Sequence, residues 1–296
     1  MSQAITSIDI PGVEPAARGK VRDIFDLGDK LLLVASDRIS AFDSILPQGV
    51  PDKGSILTQM SLFWFEKLAP AKPNHIISVN VEDFPEPFNK YPEILAKRSM
   101  LVKKVDALPI ECVVRGYMAG SGWVEYQDNQ KICGIDLPEN ITLSEKLPEP
   151  IFTPASKNKE GHDENISFDV MVDIIGRKDA EELRQRSLEI YSSGSEYART
   201  QGVILADTKF EFGKIGDQII LIDEILTPDS SRFWLQANYQ PGRVQEALDK
   251  QFVRDFLIDI KWDRNPPPPD LPDEIVESTR QRYMDAYLKI TGKAWA

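Results

Sequence analysis

The stretch Asp207-Thr-Lys-Phe-Glu-Phe-Gly-Lys-Ile-Gly-Asp-Gln-Ile-Ile-Leu-Ile-Asp223 reads as two strands and a turn. Strand side chains alternate with period two, so Asp207, Lys209 and Glu211 share one face. Gly216-Asp217 is a hairpin corner. Folding there brings Glu211 opposite Asp223, or one register away. Facing carboxylates repel unless a cation stands between them. Magnesium suits that place, being hard, oxygen-loving and a partner of nucleotide phosphates. Lys209 would then reach a transferring phosphoryl group. The alternative is a solvated hairpin face with idle charges. Asp223 closes an apolar run, where an unpartnered carboxylate is costly to bury, and this favours the metal.

Working outward, residues 19–27 and 31–36 predict a first hairpin, and 59–68 shows helical spacing of Met60, Phe63, Trp64 and Leu68. Residues 101–105 and 110–117 predict two further strands, and 116–122 a small glycine-rich loop. The polar, proline-bearing segment 144–165 predicts a long loop. Helices are predicted over 179–200, 241–260 and 272–291, the second starting at Pro241. Strands first, then mixed elements, give an α+β class. The expected organisation is a β-rich nucleotide-binding lobe over residues 1–108 and a mixed α/β lobe over 109–296, the latter carrying the metal hairpin and the substrate site.

The 296 residues allow two packed lobes without disulfide or metal staples. The formal charge is 35 − 47 = −12, which disfavours nucleic acid and anionic membrane as partners. A small anionic substrate therefore needs a local cationic pocket. Two cysteines, Cys112 and Cys133, form neither a disulfide framework nor a four-cysteine zinc site. The first residues lack a signal-peptide pattern and no apolar run approaches spanning length, so the cytoplasm is expected. With two histidines, His75 and His162, the polar inventory suits phosphoryl transfer better than histidine chemistry.

Four further segments are candidates. Arg18-Gly19-Lys20-Val21-Arg22-Asp23 pairs a glycine with cations, although it is not a Walker A motif. Arg115 ends an apolar strand beside Gly116, Gly120, Ser121 and Gly122, a phosphate seat or else a strand-end cap. Asp229-Ser-Ser-Arg232 offers a second guanidinium. Ser36-Asp-Arg-Ile-Ser-Ala-Phe-Asp43 is dense and polar, a turn with a local Asp–Arg pair in its plain reading. Residues 51–54 look like a simple turn.

At these segments the chain resembles the SAICAR synthetase family, in its longer, yeast-like form. The carrying text is Gly-Lys-Val-Arg-Asp (19–23), Ser-Asp-Arg-Ile-Ser-Ala-Phe-Asp (36–43), Glu-Cys-Val-Val-Arg-Gly (111–116), His-Asp-Glu-Asn-Ile-Ser (162–167), Asp-Thr-Lys-Phe-Glu-Phe-Gly (207–213), Asp-Glu-Ile-Leu-Thr-Pro-Asp-Ser-Ser-Arg (223–232) and Asp-Lys-Gln-Phe-Val-Arg-Asp (249–255). The resemblance implies a ligase that joins L-aspartate to a carboxyaminoimidazole ribonucleotide at the expense of ATP. It implies a fold similar to protein kinases and ATP-grasp enzymes, with an ATP cleft between the lobes, and a monomer. By the same resemblance, Gly19, Lys20, Val21 and Arg22 cover the ATP phosphates and Lys103 and Val105 line the adenine. Glu211 and Asp223 hold Mg2+, and Glu111 with Asp163 a second ion. Arg115, Ser121, Lys209, Asp229 and Arg232 bind the ribonucleotide, and Ser36, Arg38 and Ser40 lie near the aspartate. A small-molecule kinase with the same cleft is the alternative.

Overall fold

A computed structural model describes residues 3–157 and 164–295. His162 and Asp163 lie outside the described residues. In chain order the elements are β1 (Ala17–Arg18), β2 (Arg22–Asp26), β3 (Lys30–Ala35), β4 (Arg38–Ala41), β5 (Ser44–Gly49), α1 (Lys53–Lys67), β6 (Ile76–Ser78), α2 (Pro92–Leu95), β7 (Ser99–Lys103), β8 (Asp106–Tyr117), α3 (Gly120–Asn129), β9 (Lys131–Ile132), β10 (Ile135–Asp136), β11 (Lys146–Phe152), β12 (Ala155–Ser156), β13 (Glu164–Asn165), α4 (Phe168–Ile175), α5 (Arg177–Thr200), β14 (Val203–Ile215), β15 (Gln218–Ile222), β16 (Ser231–Leu235), α6 (Gln251–Asp259) and α7 (Asp273–Thr291). This is the expected α+β class.

The chain divides into two compact units: residues 1–63, 75–104 and 248–296 form the first, and 64–74 with 105–247 the second. The sequence reading drew a single boundary after residue 108 and assigned 248–296 to the second lobe. The closing segment groups with the first unit instead, for a physical reason. Val253 and Leu257 of α6 and Tyr283 of α7 are buried in one cluster with Ile39, Leu46, Val50 and Ile56.

The first unit holds an antiparallel sheet in the order β1-β2-β3-β7-β6. The first hairpin turns where Gly28 takes φ +90° and Asp26 Oδ1 accepts from the Gly28 amide at 2.9 Å. Residues 51–54 are more than a turn, because Lys53 and Gly54 open α1. Gly54 is there by necessity: a Cβ would stand 2.6 Å from the Ala35 carbonyl oxygen.

The second unit is built on β8 and β14, with β12 and β13 beyond β8, β15 beyond β14, and β11 and β16 as further partners. Helix α5 buries Ala180, Leu183, Ser187, Ile190, Tyr191, Gly194 and Ala198, a three-and-four spacing that makes one apolar stripe against β14. Three sequence expectations are corrected. Residues 120–129 form α3 rather than remaining a glycine-rich loop. Segment 144–165 contains β11, β12 and β13. The predicted helix 241–260 forms only over Gln251–Asp259. Before it, Gly242 takes φ +84°, and the Gln245 side chain accepts from the Gln240 amide and donates to the Gln240 carbonyl, so side-chain bonding replaces helix.

Candidate functional site

In the second unit, β8 and β14 run antiparallel with Glu111 opposite Glu211, Val113 opposite Lys209 and Arg115 opposite Asp207. Period-two alternation gathers these side chains on one face. The reverse face, with Cys112, Val114, Thr208 and Phe210, is buried. The predicted β14–β15 hairpin is present, and Glu211 pairs with Ile222, so Asp223 stands one residue beyond, at φ +64°.

At one end of this face the two glutamates are each met by a lysine. Lys209 Nζ donates to Glu111 Oε1, and Lys157 Nζ to Glu211 Oε2. Among the described residues, no three His, Cys, Asp or Glu side chains gather into a metal-binding group. Two facing carboxylates nevertheless fit Mg2+, which takes one or two protein carboxylates and completes its shell with phosphate and water.

At the other end stands a guanidinium pair. Arg115, 3% exposed, donates from Nε to Thr153 Oγ1 at 3.0 Å, from Nη1 to Asp207 Oδ2 at 3.2 Å and from Nη2 to Ser121 Oγ at 3.0 Å. Arg232 Nη1 donates to the same Asp207 oxygen. Burial pulls the Arg115 pKa below its ordinary value, and Asp207 opposes that pull. The nearby glycines make room for these groups. A Cβ on Gly120 would lie 2.3 Å from Arg232 Nη2, and one on Gly122 3.0 Å from Arg115 Cδ. Helix α3 starts here with no side-chain cap on its first amides, so open N–H groups and two guanidinium groups converge, an anion seat by its chemistry. Asp229 is half-buried on the connection to β16, its amide donating to Thr227 Oγ1 at 3.3 Å. Sequence reasoning missed Thr153 and Lys157, which lie in the segment read as a loop.

In the first unit, Gly19, Lys20, Val21 and Arg22 make the turn from β1 into β2, closed by Gly19 N–H donating to the Arg22 carbonyl at 2.7 Å. Lys20 pairs with Asp43. Ser36 and Arg38 are bonded to this turn: Ser36 Oγ donates to the Val21 carbonyl at 2.9 Å, and Arg38 reaches the Gly19 and Lys20 carbonyls. Ser40 is buried in β4. Asp37 is 1% exposed and ion-paired with Arg98, 6% exposed, at 2.9 Å; it also accepts from the Gly54 amide at 2.9 Å. Lys103, exposed, ends β7 opposite Lys30, at the far end of the sheet from Arg22, which pairs with Ala35. Val105 belongs to the second unit and packs on Gly213, where a Cβ would meet it at 2.5 Å.

Neither cysteine nor His75 looks reactive. Burial pushes the Cys112 thiol far up and the Cys133 thiol to about 12. Burial holds His75 neutral, its pKa depressed to about 3, with the Arg22 charge adding to the effect. No helix among the described residues is long and apolar enough to cross a membrane.

Comparison with known proteins adds a second line. The SAICAR synthetase family model matches residues 15–269. A phosphoribosylaminoimidazole-succinocarboxamide synthase of Thermodesulfovibrio yellowstonii is 52% identical over 291 residues, 98% of this chain and 100% of its own. One of Geotalea uraniireducens is 53% identical over 294 residues, 99% of each. The structure of the Saccharomyces cerevisiae SAICAR synthase complexed with SAICAR superposes with a TM-score of 0.90 at 40% identity, covering 99% of this chain and 100% of that one. A SAICAR synthetase in complex with ADP gives 0.67 at 26% identity, covering 95% and 99%.

Proposed function

The chain belongs to the SAICAR synthetase family and is an ATP-dependent, amide-forming ligase of purine biosynthesis, and we propose which of its residues do that work. The enzyme joins L-aspartate to carboxyaminoimidazole ribonucleotide, giving the succinocarboxamide, ADP and phosphate. The kinase alternative is not favoured, since relatives carrying the synthase name match over the whole chain.

One observation carries the assignment of roles: a single face of β8 and β14 has two carboxylates at one end and Arg115 at the other, joined there by Arg232 of β16 through Asp207, with Lys209 in the middle. Glu111 and Arg115 are four residue steps apart on β8, about 13 Å at ~3.3 Å per residue. That separation suits a ribonucleotide lying along the face. Its 5′-phosphate is held by Arg115, Arg232, Ser121 and the first amides of α3, with Asp229 nearby. Its carboxylate lies toward Lys209 and the glutamates. Glu211, with Asp223 beside it, holds the nucleotide's Mg2+, and Glu111 holds a second ion with Asp163. The metal supplies charge neutralisation for phosphoryl transfer.

ATP lies along the sheet of the first unit. The Gly19–Arg22 turn covers its phosphates and Lys103 marks the adenine end, five residues along the strands and about 16.5 Å away at ~3.3 Å per residue. Val105 remains an adenine-side candidate. A carboxylate does not react with an amine until its oxygen becomes a leaving group, so the γ-phosphoryl moves to the ribonucleotide carboxylate. The aspartate amine then attacks the carbonyl and phosphate departs. Lys209 stabilises the moving charge. No route through a phospho-enzyme is needed, and the buried, protonated thiols and neutral His75 support direct transfer. We place the enzyme in the cytoplasm, where its two free thiols would stay reduced, and as a monomer.

The test is ADP release measured with and without each co-substrate. The reading requires both for full turnover, and oxygen-18 from the ribonucleotide carboxylate must appear in phosphate. ADP release without aspartate, yielding a stable phosphorylated product, would return the kinase.

A further inference from the structure

Arg38 and Ser36 stand out because their polar atoms are engaged by the backbone of another segment. Arg38 Nε donates to the Lys20 carbonyl at 3.2 Å, and Nη2 to the Gly19 carbonyl at 3.1 Å and to Asp23 Oδ1 at 2.6 Å. Nη1 donates to the Thr6 carbonyl at 2.7 Å. Ser36 gives both its hydroxyl and its amide to the Val21 carbonyl, each at 2.9 Å. Three successive carbonyls of the Gly19–Arg22 turn are thus drawn to one side.

A trans peptide points its C=O and N–H in opposite directions. Fixing the carbonyls of Gly19, Lys20 and Val21 therefore turns the amides of Lys20, Val21 and Arg22 the other way. The Lys20 and Val21 amides make no hydrogen bond among the described residues, although every carbonyl around them is satisfied. Consecutive outward amides beside a lysine and an arginine form an anion-binding concavity. Asp23 is fully buried, and its Oδ1 holds Arg38 in place.

We propose that Arg38 and Ser36 are positioning residues that preset this turn for the nucleotide phosphates and do not bind L-aspartate. A guanidinium has five N–H groups, and four of those on Arg38 are engaged by Gly19, Lys20, Thr6 and Asp23. The one left cannot grip a carboxylate with two parallel bonds, the geometry that makes arginine a carboxylate receptor. The inference rests on the reading that the turn covers ATP phosphates, and it makes the turn's shape a property of the protein before nucleotide arrives.

The test uses Arg38→Lys, which keeps a cation beside Asp23 but loses the fork, together with Ser36→Ala and Lys20→Met. ADP affinity is measured by calorimetry at fixed Mg2+, alongside KM for ATP, aspartate and ribonucleotide and the melting temperature. Arg38→Lys should weaken ADP about tenfold and raise the ATP KM in step, as expected for losing bonds that involve a charged donor. Ser36→Ala should do the same more weakly. The aspartate KM should stay within about twofold in both, since neither side chain has a free fork to offer it. A raised aspartate KM with unchanged ADP affinity in Arg38→Lys would overturn the proposal, and so would unchanged affinities throughout. If Arg38→Lys fails to fold, Ser36→Ala decides by the same split. Lys20→Met separates the two levels. If it binds ADP as the parent does, the turn does not face nucleotide and the underlying reading fails. If it weakens ADP while Arg38→Lys and Ser36→Ala do not, only the positioning inference falls.

Discussion

Glu111 on β8 and Glu211 on β14 are direct cross-strand partners, yet each is met by a lysine, Glu111 by Lys209 of β14 and Glu211 by Lys157 beyond β12. Like charges at facing strand positions destabilise a sheet, so the pair persists because cations meet it. In the proposed role of Glu211 as a metal ligand, a divalent ion and the Lys157 ammonium compete for its carboxylate. In the absence of nucleotide, Lys157→Met should therefore bind Mn2+ more tightly, read by the loss of free-ion signal in electron paramagnetic resonance. Glu211→Gln and Asp223→Asn should bind it more weakly and lose about a hundredfold or more in kcat. Parental Mn2+ binding by Glu211→Gln would remove the metal from this end of the face.

The guanidinium pair depends on glycines as much as on arginines. Gly120 has φ +57°, and a Cβ there would drive into Arg232 at 2.3 Å; at Gly122 the approach to Arg115 is 3.0 Å. Gly120→Ala should raise the ribonucleotide KM strongly, and Gly122→Ala more mildly, with the ATP KM near parental in both. Arg115→Lys should behave like Gly120→Ala, because it loses the fork that joins Thr153, Asp207 and Ser121. An effect confined to the ATP KM would move these residues to the nucleotide.

The Asp37–Arg98 pair is almost wholly buried and also fixes the first turn of α1 through Gly54. Removing one partner leaves a buried charge alone, so Arg98→Met should destabilise the fold by about 3–5 kcal/mol. Urea denaturation reads this directly. A change below about 1 kcal/mol would mean that the pair behaves like a surface one.

Acid should weaken the protein through His75. Its folded pKa, about 3, lies below the usual value of 6.5, so below pH ~6.5 the unfolded chain takes up a proton that the folded one refuses. The stability contribution of His75 is complete above that value and falls by at most about 1.4 kcal/mol per pH unit as pH drops toward the folded pKa. Denaturation midpoints measured from pH ~7 to pH ~4 should show a shallower acid limb in His75→Asn. Identical limbs would mean that carboxylates alone set the acid response.

The second hairpin was legible because its determinants are local: alternation along 207–213, a Gly-Asp corner, and an apolar return. The partnership of Glu111 with Glu211 was not, since it joins strands about a hundred residues apart, and no local pattern encodes a register between them. Lys157 and Thr153 were hidden for another reason. Pro148, Pro150 and Pro154 deny ladder hydrogen bonds and break periodicity, so that stretch resembled a loop although β11 pairs with β8 across a register shift. Arg38 stands out in the sequence as a residue of interest, but sequence cannot show that four of its five N–H groups are engaged by Gly19, Lys20, Thr6 and Asp23.

The return of residues 248–296 to the first unit sets an order of events on the ribosome. Everything in the second unit has been synthesised by Ala247. The cluster around Ile39, Val50 and Ile56 must wait for Val253, Leu257 and Tyr283 to emerge. The segments made first thus complete their interior last. A released chain ending at Ala247 should protect β8 and β14 from protease while leaving β4, β5 and the start of α1 open to it.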